Sequence, residues 1–167
     1  MWNTKLGVKN KPRIGLVWSS NSTFKADAKR SLKLADLLKA LPTEGVEYIC
    51  LQKVIKDEDL ETLNENPQIQ FFGDQLEDFS DTAALIDCVD LVLSTCTSVP
   101  HLSAALGRQT WLMISYNPDW RWLLDRTDSP WYQSITLYRQ PVARDWDSVF
   151  KKVKEDLLEF IKTNKCS

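Results

Sequence analysis

The one histidine of the chain, His101, stands just past Thr97 and Ser98 in the segment TCTSVPHLSAALG. Thr97 or Ser98 can cap a helix whose first turn holds Pro100. The imidazole then sits near the positive end of the helix dipole, which favours the neutral ring. A neutral imidazole donates one hydrogen bond and accepts another, which suits a sugar hydroxyl or a phosphate oxygen. The other use of such a histidine is to satisfy local backbone.

Two further groups of residues carry related chemistry. Gln52 and Lys53 follow the run VEYICL. A lysine at the carboxyl end of a strand reaches a diphosphate as a compact charge, or else it is a surface lysine. Ser19, Ser20, Asn21, Ser22 and Thr23 follow RIGLVW and lead into Lys25, Lys29 and Arg30. Hydroxyls, amide donors and backbone N–H groups beside a helix start suit an anion; a solvated loop with scattered charge is the alternative. Neither GxGxxG nor GxxxxGK[ST] occurs, so the dinucleotide fingerprint and the P-loop do not apply. If a diphosphate binds, His101 and Lys53 are expected to face one crevice.

Trp111, Trp120, Trp122 and Trp131 lie in or near SYNPDWRWLLDRTDSPWY and make up four of the seven tryptophans. Their faces either stack on a base or sugar ring or roof the core. Exposed indole is costly, so the segment is expected to be ordered.

The elements that must position these groups alternate. Strands are predicted at Arg13–Trp18, Val46–Leu51, Ile69–Phe72, Asp90–Ser94, Thr110–Ile114 and Ile135–Tyr138. Ser31 is a plausible cap for a helix with Leu34, Leu37, Leu38 and Leu41 on one face, ended by Pro42 and Gly45. Further helices are predicted at Asp57–Leu63, from an Asp81 cap to about Cys88, at Val99–Leu106 closed by Gly107, and at Trp146–Ile161. This order implies a three-layer α/β/α, Rossmann-like domain with a mostly parallel sheet of about six strands. One domain is expected over residues 1–167, with its core at about 12–162. Ligands of such sheets lie beyond the carboxyl ends of the strands, near the switch in strand order.

Composition narrows the classes. The chain is 43% hydrophobic and 26% charged, with net charge -2, so nothing attracts nucleic acid indiscriminately. Cys50, Cys88, Cys96 and Cys166 form no CxxC pair or zinc-type cluster, and Cys50 and Cys88 read as small core residues. MWNTKLGVKNKPR has no apolar core of a signal peptide, and no apolar run is long enough to span a bilayer. The cytoplasm is the expected compartment.

Five segments carry a resemblance: PRIGLVWSSN, KRSLKLADLLKALP, VEYICLQK, DFSDTAALIDCVDLVLSTCTSVPHLSAALG and NPDWRWLLDRTDSPWYQSITLYRQPVARDWDSV. From about Pro12 to Ile161 the chain resembles the C-terminal region of bacterial tetratricopeptide-repeat proteins that end in a heptosyltransferase-like glycosyltransferase domain. More distantly it is similar to the donor half of the GT-B fold of ADP-heptose transferases and O-GlcNAc transferases. The resemblance implies a nucleotide-diphosphate-sugar site at the strand ends. Ser19 and Ser20 would sit at the diphosphate loop, Lys25 and Arg30 near it, and Lys53 would neutralise the leaving diphosphate. Thr95, Thr97, Ser98 and His101 would match a D-T-x-x-x-H loop around phosphate and sugar. Such transferases need no metal or other cofactor, because dipoles and cations stabilise the diphosphate.

The chain departs from that pattern at three positions: Cys96 stands for the aspartate, Ser20 for a glycine, and Pro100 for a small residue. In GT-B enzymes the catalytic base and acceptor site come mainly from the N-terminal domain, so no catalytic residue is assigned here. The expected partners are a nucleotide sugar and an acceptor or tetratricopeptide-repeat domain, on a longer chain or another one. The rival expectation is a degenerate, non-catalytic module that serves structure or interaction.

Overall fold

The computed structural model describes residues 2–20 and 31–164. Six strands form one sheet: β1 (Arg13–Val17), β2 (Glu47–Cys50), β3 (Ile69–Phe71), β4 (Leu91–Thr95), β5 (Thr110–Ile114) and β6 (Ile135–Arg139). Their spatial order is β3-β2-β1-β4-β5-β6, and all neighbours pair in parallel. β1, β4 and β5 are buried along their whole length. That is why they read as continuous apolar runs rather than alternating ones.

The helices cover both faces. α1 is Trp2–Leu6, α2 is Leu34–Leu37, continued by a 3₁₀ turn at Leu38–Ala40, and α3 is Asp57–Glu65. α4 is Phe79–Ile86, α5 is Ser98–Ala105 and α6 is Trp146–Thr163. On one face Leu16, Leu93 and Met113 pack with α2, α3 and α6. On the other, Val17, Ile49 and Val92 pack with α1 and α4, and Leu112 and Ile114 pack beside α5. The inner side of α6 is Val149, Phe150, Val153, Leu157 and Ile161, as its periodicity predicts. Each such burial stabilises by about 1.5–3 kcal/mol relative to exposure.

Glycine matters at two places. A Cβ on Gly15 would lie 2.5 Å from Leu51 Cδ1, so β1 leaves room for the buried Leu51 only by having no side chain there. Gly107 takes φ +71 just past α5, the left-handed turn that ends the helix.

The structure corrects three local expectations. Ser31 does not cap α2: its Oγ accepts from Ser20 N, and the helix starts at Leu34, whose N–H is taken by the Asp59 carboxylate. Asp78, not Asp81, caps α4, accepting from Ser80 N and Asp81 N, while Asp81 reaches back to Glu77 N. The polar N-terminal stretch holds α1, whose Trp2 and Leu6 are buried among the apolar residues near α4. Arg13 anchors it: the buried guanidinium donates to Leu6 O and Gly7 O at 2.9 Å and pairs with Glu47 at 2.7 Å.

Cys50 is buried, which pushes its thiol up to about 12; Cys88 is only partly buried. Among the described residues no helix is long and apolar enough to cross a membrane, and no three His, Cys, Asp or Glu gather to hold a metal.

Candidate functional site

Strand order reverses between β1 and β4, so the crevice between their carboxyl ends is where a ligand of this architecture lies. Val17 pairs with Ser94, which sets Trp18, Ser19 and Ser20 on one lip and Thr95, Cys96 and Thr97 on the other.

The β1 lip is built by side chains from its neighbours. Gln52, at the end of β2, accepts from Trp18 N at 2.7 Å and Ser19 N at 3.0 Å. Its Nε2 donates to Ser19 Oγ at 3.0 Å and Val54 O at 3.3 Å. The indole of Trp18 donates to Asp59 Oδ2 at 2.9 Å, and the other oxygen of Asp59 accepts from Leu34 N at 2.8 Å. Leu32 N donates to Trp18 O, and Ser20 N to Ser31 Oγ. Lys25 and Arg30 lie between these ends, outside the described residues.

On the β4 lip, Thr95 is fully buried, and its Oγ1 has no hydrogen-bond partner among the described residues. Thr97 is the cap of α5, accepting from Val99 N at 3.3 Å. Ser98 opens the helix and is exposed, and Pro100 is buried in the first turn.

His101 and Lys53 are drawn to opposite ends of the strand order, which corrects the expectation that they face one crevice. Lys53 Nζ donates to Glu77 O at 2.9 Å, over the connection from β3 to α4. His101 stacks on Trp122, with ring centroids 5.1 Å apart, and its Nδ1 lies 3.3 Å from Tyr132 OH. Both partners belong to the connection from β5 to β6. Burial, then the charge of Arg121, lower the histidine's pKa, opposed by Asp119. That shift favours the neutral ring, with burial as the first cause.

That connection splits its aromatics by direction. Trp122 is fully buried, and its indole donates to Cys96 Sγ at 3.2 Å. Arg139 holds Trp122 O and Arg126 O. Trp120 and Trp131 meet edge to face at 6.5 Å, yet remain 68% and 59% exposed. Trp111 is a core residue against Tyr138 and Phe160.

Asp59 and Tyr132 also build the site, and neither stands out as a site residue in the sequence. Asp59 had a signal: it lies one turn before Leu63, on the buried side of α3. Tyr132 had none, because only the tertiary fold brings it to His101.

An all-parallel six-stranded sheet in this order, with helices on both faces, makes the chain a three-layer, Rossmann-like α/β domain. It superimposes on the E. coli ADP-heptose lps heptosyltransferase II with TM-score 0.63 and 17% identity, covering 98% of this chain and 51% of that one. The E. coli heptosyltransferase WaaC, solved with ADP-2-deoxy-2-fluoro heptose, gives TM-score 0.56 and 12% identity over 94% of this chain and 45% of that one. In sequence the chain is 25% identical over 156 residues to Protein FlbA of Caulobacter vibrioides, which is 89% of this chain and 25% of FlbA. No family model matches. The chain thus spans about half of each heptosyltransferase chain and a quarter of FlbA.

Proposed function

We propose that this chain is the donor-binding domain of a glycosyltransferase, which takes a nucleotide-diphosphate sugar at the β1/β4 switch point. The observation that carries the reading is Thr95: a fully buried hydroxyl without a partner among the described residues, at the strand end where such folds bind ligands. A buried polar group left unpaired is costly, and a ligand oxygen would satisfy it. The adjacent start of α5, capped by Thr97, would favour the negative diphosphate.

Within this reading Ser19, Ser20 and Thr97 line the diphosphate, and Ser98 lies at the mouth. Lys53 would leave the Glu77 carbonyl to meet the leaving phosphate; the likeness to metal-independent transferases suggests that no metal is needed. The acceptor side, including any catalytic base, would come from sequence beyond these residues or from another chain, with a tetratricopeptide-repeat domain one candidate. Calorimetric titration with UDP-, ADP- and GDP-linked sugars tests the reading. Measurable heat with one of them is expected; no heat and no thermal shift at millimolar concentration overturns it.

A second reading is favoured by the contacts of Cys96, His101 and Lys53, each of which meets the protein itself. In that reading the domain is a non-catalytic module for structure or interaction. Self-association of a chain that binds no nucleotide sugar would support it.

A further inference from the structure

We propose that Gln52 is a positioning residue that sets the Ser19 hydroxyl as a hydrogen-bond donor to an anionic oxygen at the end of β1. The inference rests on the donor-site reading above and adds how that site selects its ligand atom.

The orientation of the carboxamide follows from its partners. Two backbone N–H groups, Trp18 N at 2.7 Å and Ser19 N at 3.0 Å, meet one atom of Gln52, which must therefore be the oxygen. The other arm is the NH₂ group, and it donates to Ser19 Oγ at 3.0 Å and to Val54 O at 3.3 Å. The residue is buried, and both arms are spent on the protein. Gln52 thus holds the Ser19 hydroxyl in place through its NH₂ group.

Ser19 Oγ receives a hydrogen bond, so one of its lone pairs is taken while its own proton is left over. That proton has no acceptor among the described residues. A buried hydroxyl in this state lacks an acceptor, and a phosphate oxygen, which can only accept, supplies one. The neighbouring strand ends with Thr95, whose Oγ1 also has no partner among the described residues, and the Val17–Ser94 register places the two hydroxyls on facing lips. A hydroxyl that already accepts and still lacks an acceptor, as Ser19 does, selects an oxyanion over a hydrogen-bond donor, and Thr95 Oγ1 can join it as a second donor.

A double-mutant cycle with Ser19→Ala and Gln52→Glu, read by calorimetry with inorganic pyrophosphate and ADP, tests this. Gln52→Glu keeps an oxygen for the two backbone N–H groups, but its second oxygen only accepts, which turns the Ser19 proton inward. Each single change is expected to weaken pyrophosphate binding roughly ten- to hundredfold. The double variant is expected to bind no more weakly than Gln52→Glu alone, and Ser19→Thr to keep most of the affinity. Additive losses mean that the new carboxylate acts only by charge repulsion, and they overturn the positioning role while leaving the donor site standing. Should Gln52→Glu fail to fold, wild-type affinity in Ser19→Ala overturns it equally. A wild-type chain that binds neither probe overturns both readings.

Discussion

Asp59 and Trp18 join α3 to the end of β1: the carboxylate accepts the indole N–H at 2.9 Å, with both groups buried. Its second oxygen holds Leu34 N at 2.8 Å, so one side chain ties the candidate site's first lip to the start of α2.

Asp59→Ala leaves two buried N–H donors without an acceptor. Each such loss costs about 1–3 kcal/mol, so a destabilisation of about 2–6 kcal/mol is expected. Urea unfolding measures it, and Asp59→Asn, which keeps one acceptor, is expected to lose less.

Cys96→Ala removes the acceptor of the buried Trp122 indole. Thiol sulfur accepts weakly, so the expected cost is about 1 kcal/mol, or about 2–4 °C in Tm for a domain of this size. A Tm equal to wild type would mean that the indole draws nothing from this contact.

The pH dependence follows from His101, whose pKa burial and Arg121 hold below the ordinary 6.5. Between the folded value and 6.5 the unfolded chain binds more protons, so stability there rises with pH. Its contribution is full above 6.5 and is lost as pH falls through the folded pKa. Thermal unfolding from pH 7.5 to 4.5 is expected to fall more steeply for wild type than for His101→Gln. Parallel curves would mean that the ring titrates as it does in the unfolded chain.

Lys53 is exposed and held by one backbone carbonyl. Lys53→Ala is expected to change unfolding stability by less than about 0.5 kcal/mol. In titration the same variant is expected to bind a nucleotide diphosphate roughly ten- to hundredfold more weakly. Unchanged affinity would leave the lysine as a tie to the Glu77 carbonyl.

The sheet was legible because parallel strands are buried on both sides. RIGLV, LVLST and TWLMI announce themselves without any alternation. α6 was legible from the regular spacing of Val149, Val153 and Leu157. α1 was not, since five residues with two apolar ones give no period to detect. Of the candidate site, the place of Ser19 and Gln52 at strand ends was legible, while their meeting follows from β1 and β2 being neighbours, which pattern alone does not supply. The directions of His101 and Lys53 were hidden because Tyr132 and Glu77 reach them from distant loops, and spacing within one segment carries no record of that.

The central place of β1 also sets an order of events as the chain is made. Arg13 N finds its acceptor on Asp90, 77 residues later, and Ile14 pairs with Leu91. At a synthesis rate of about 5–20 residues per second, β1 waits roughly 4–15 s after its own synthesis for β4. During that interval β2 can cover one edge, but the other presents the backbone of an apolar strand to any partner nearby. The innermost strand of the finished domain is thus the one that most needs shelter while the ribosome is still at work.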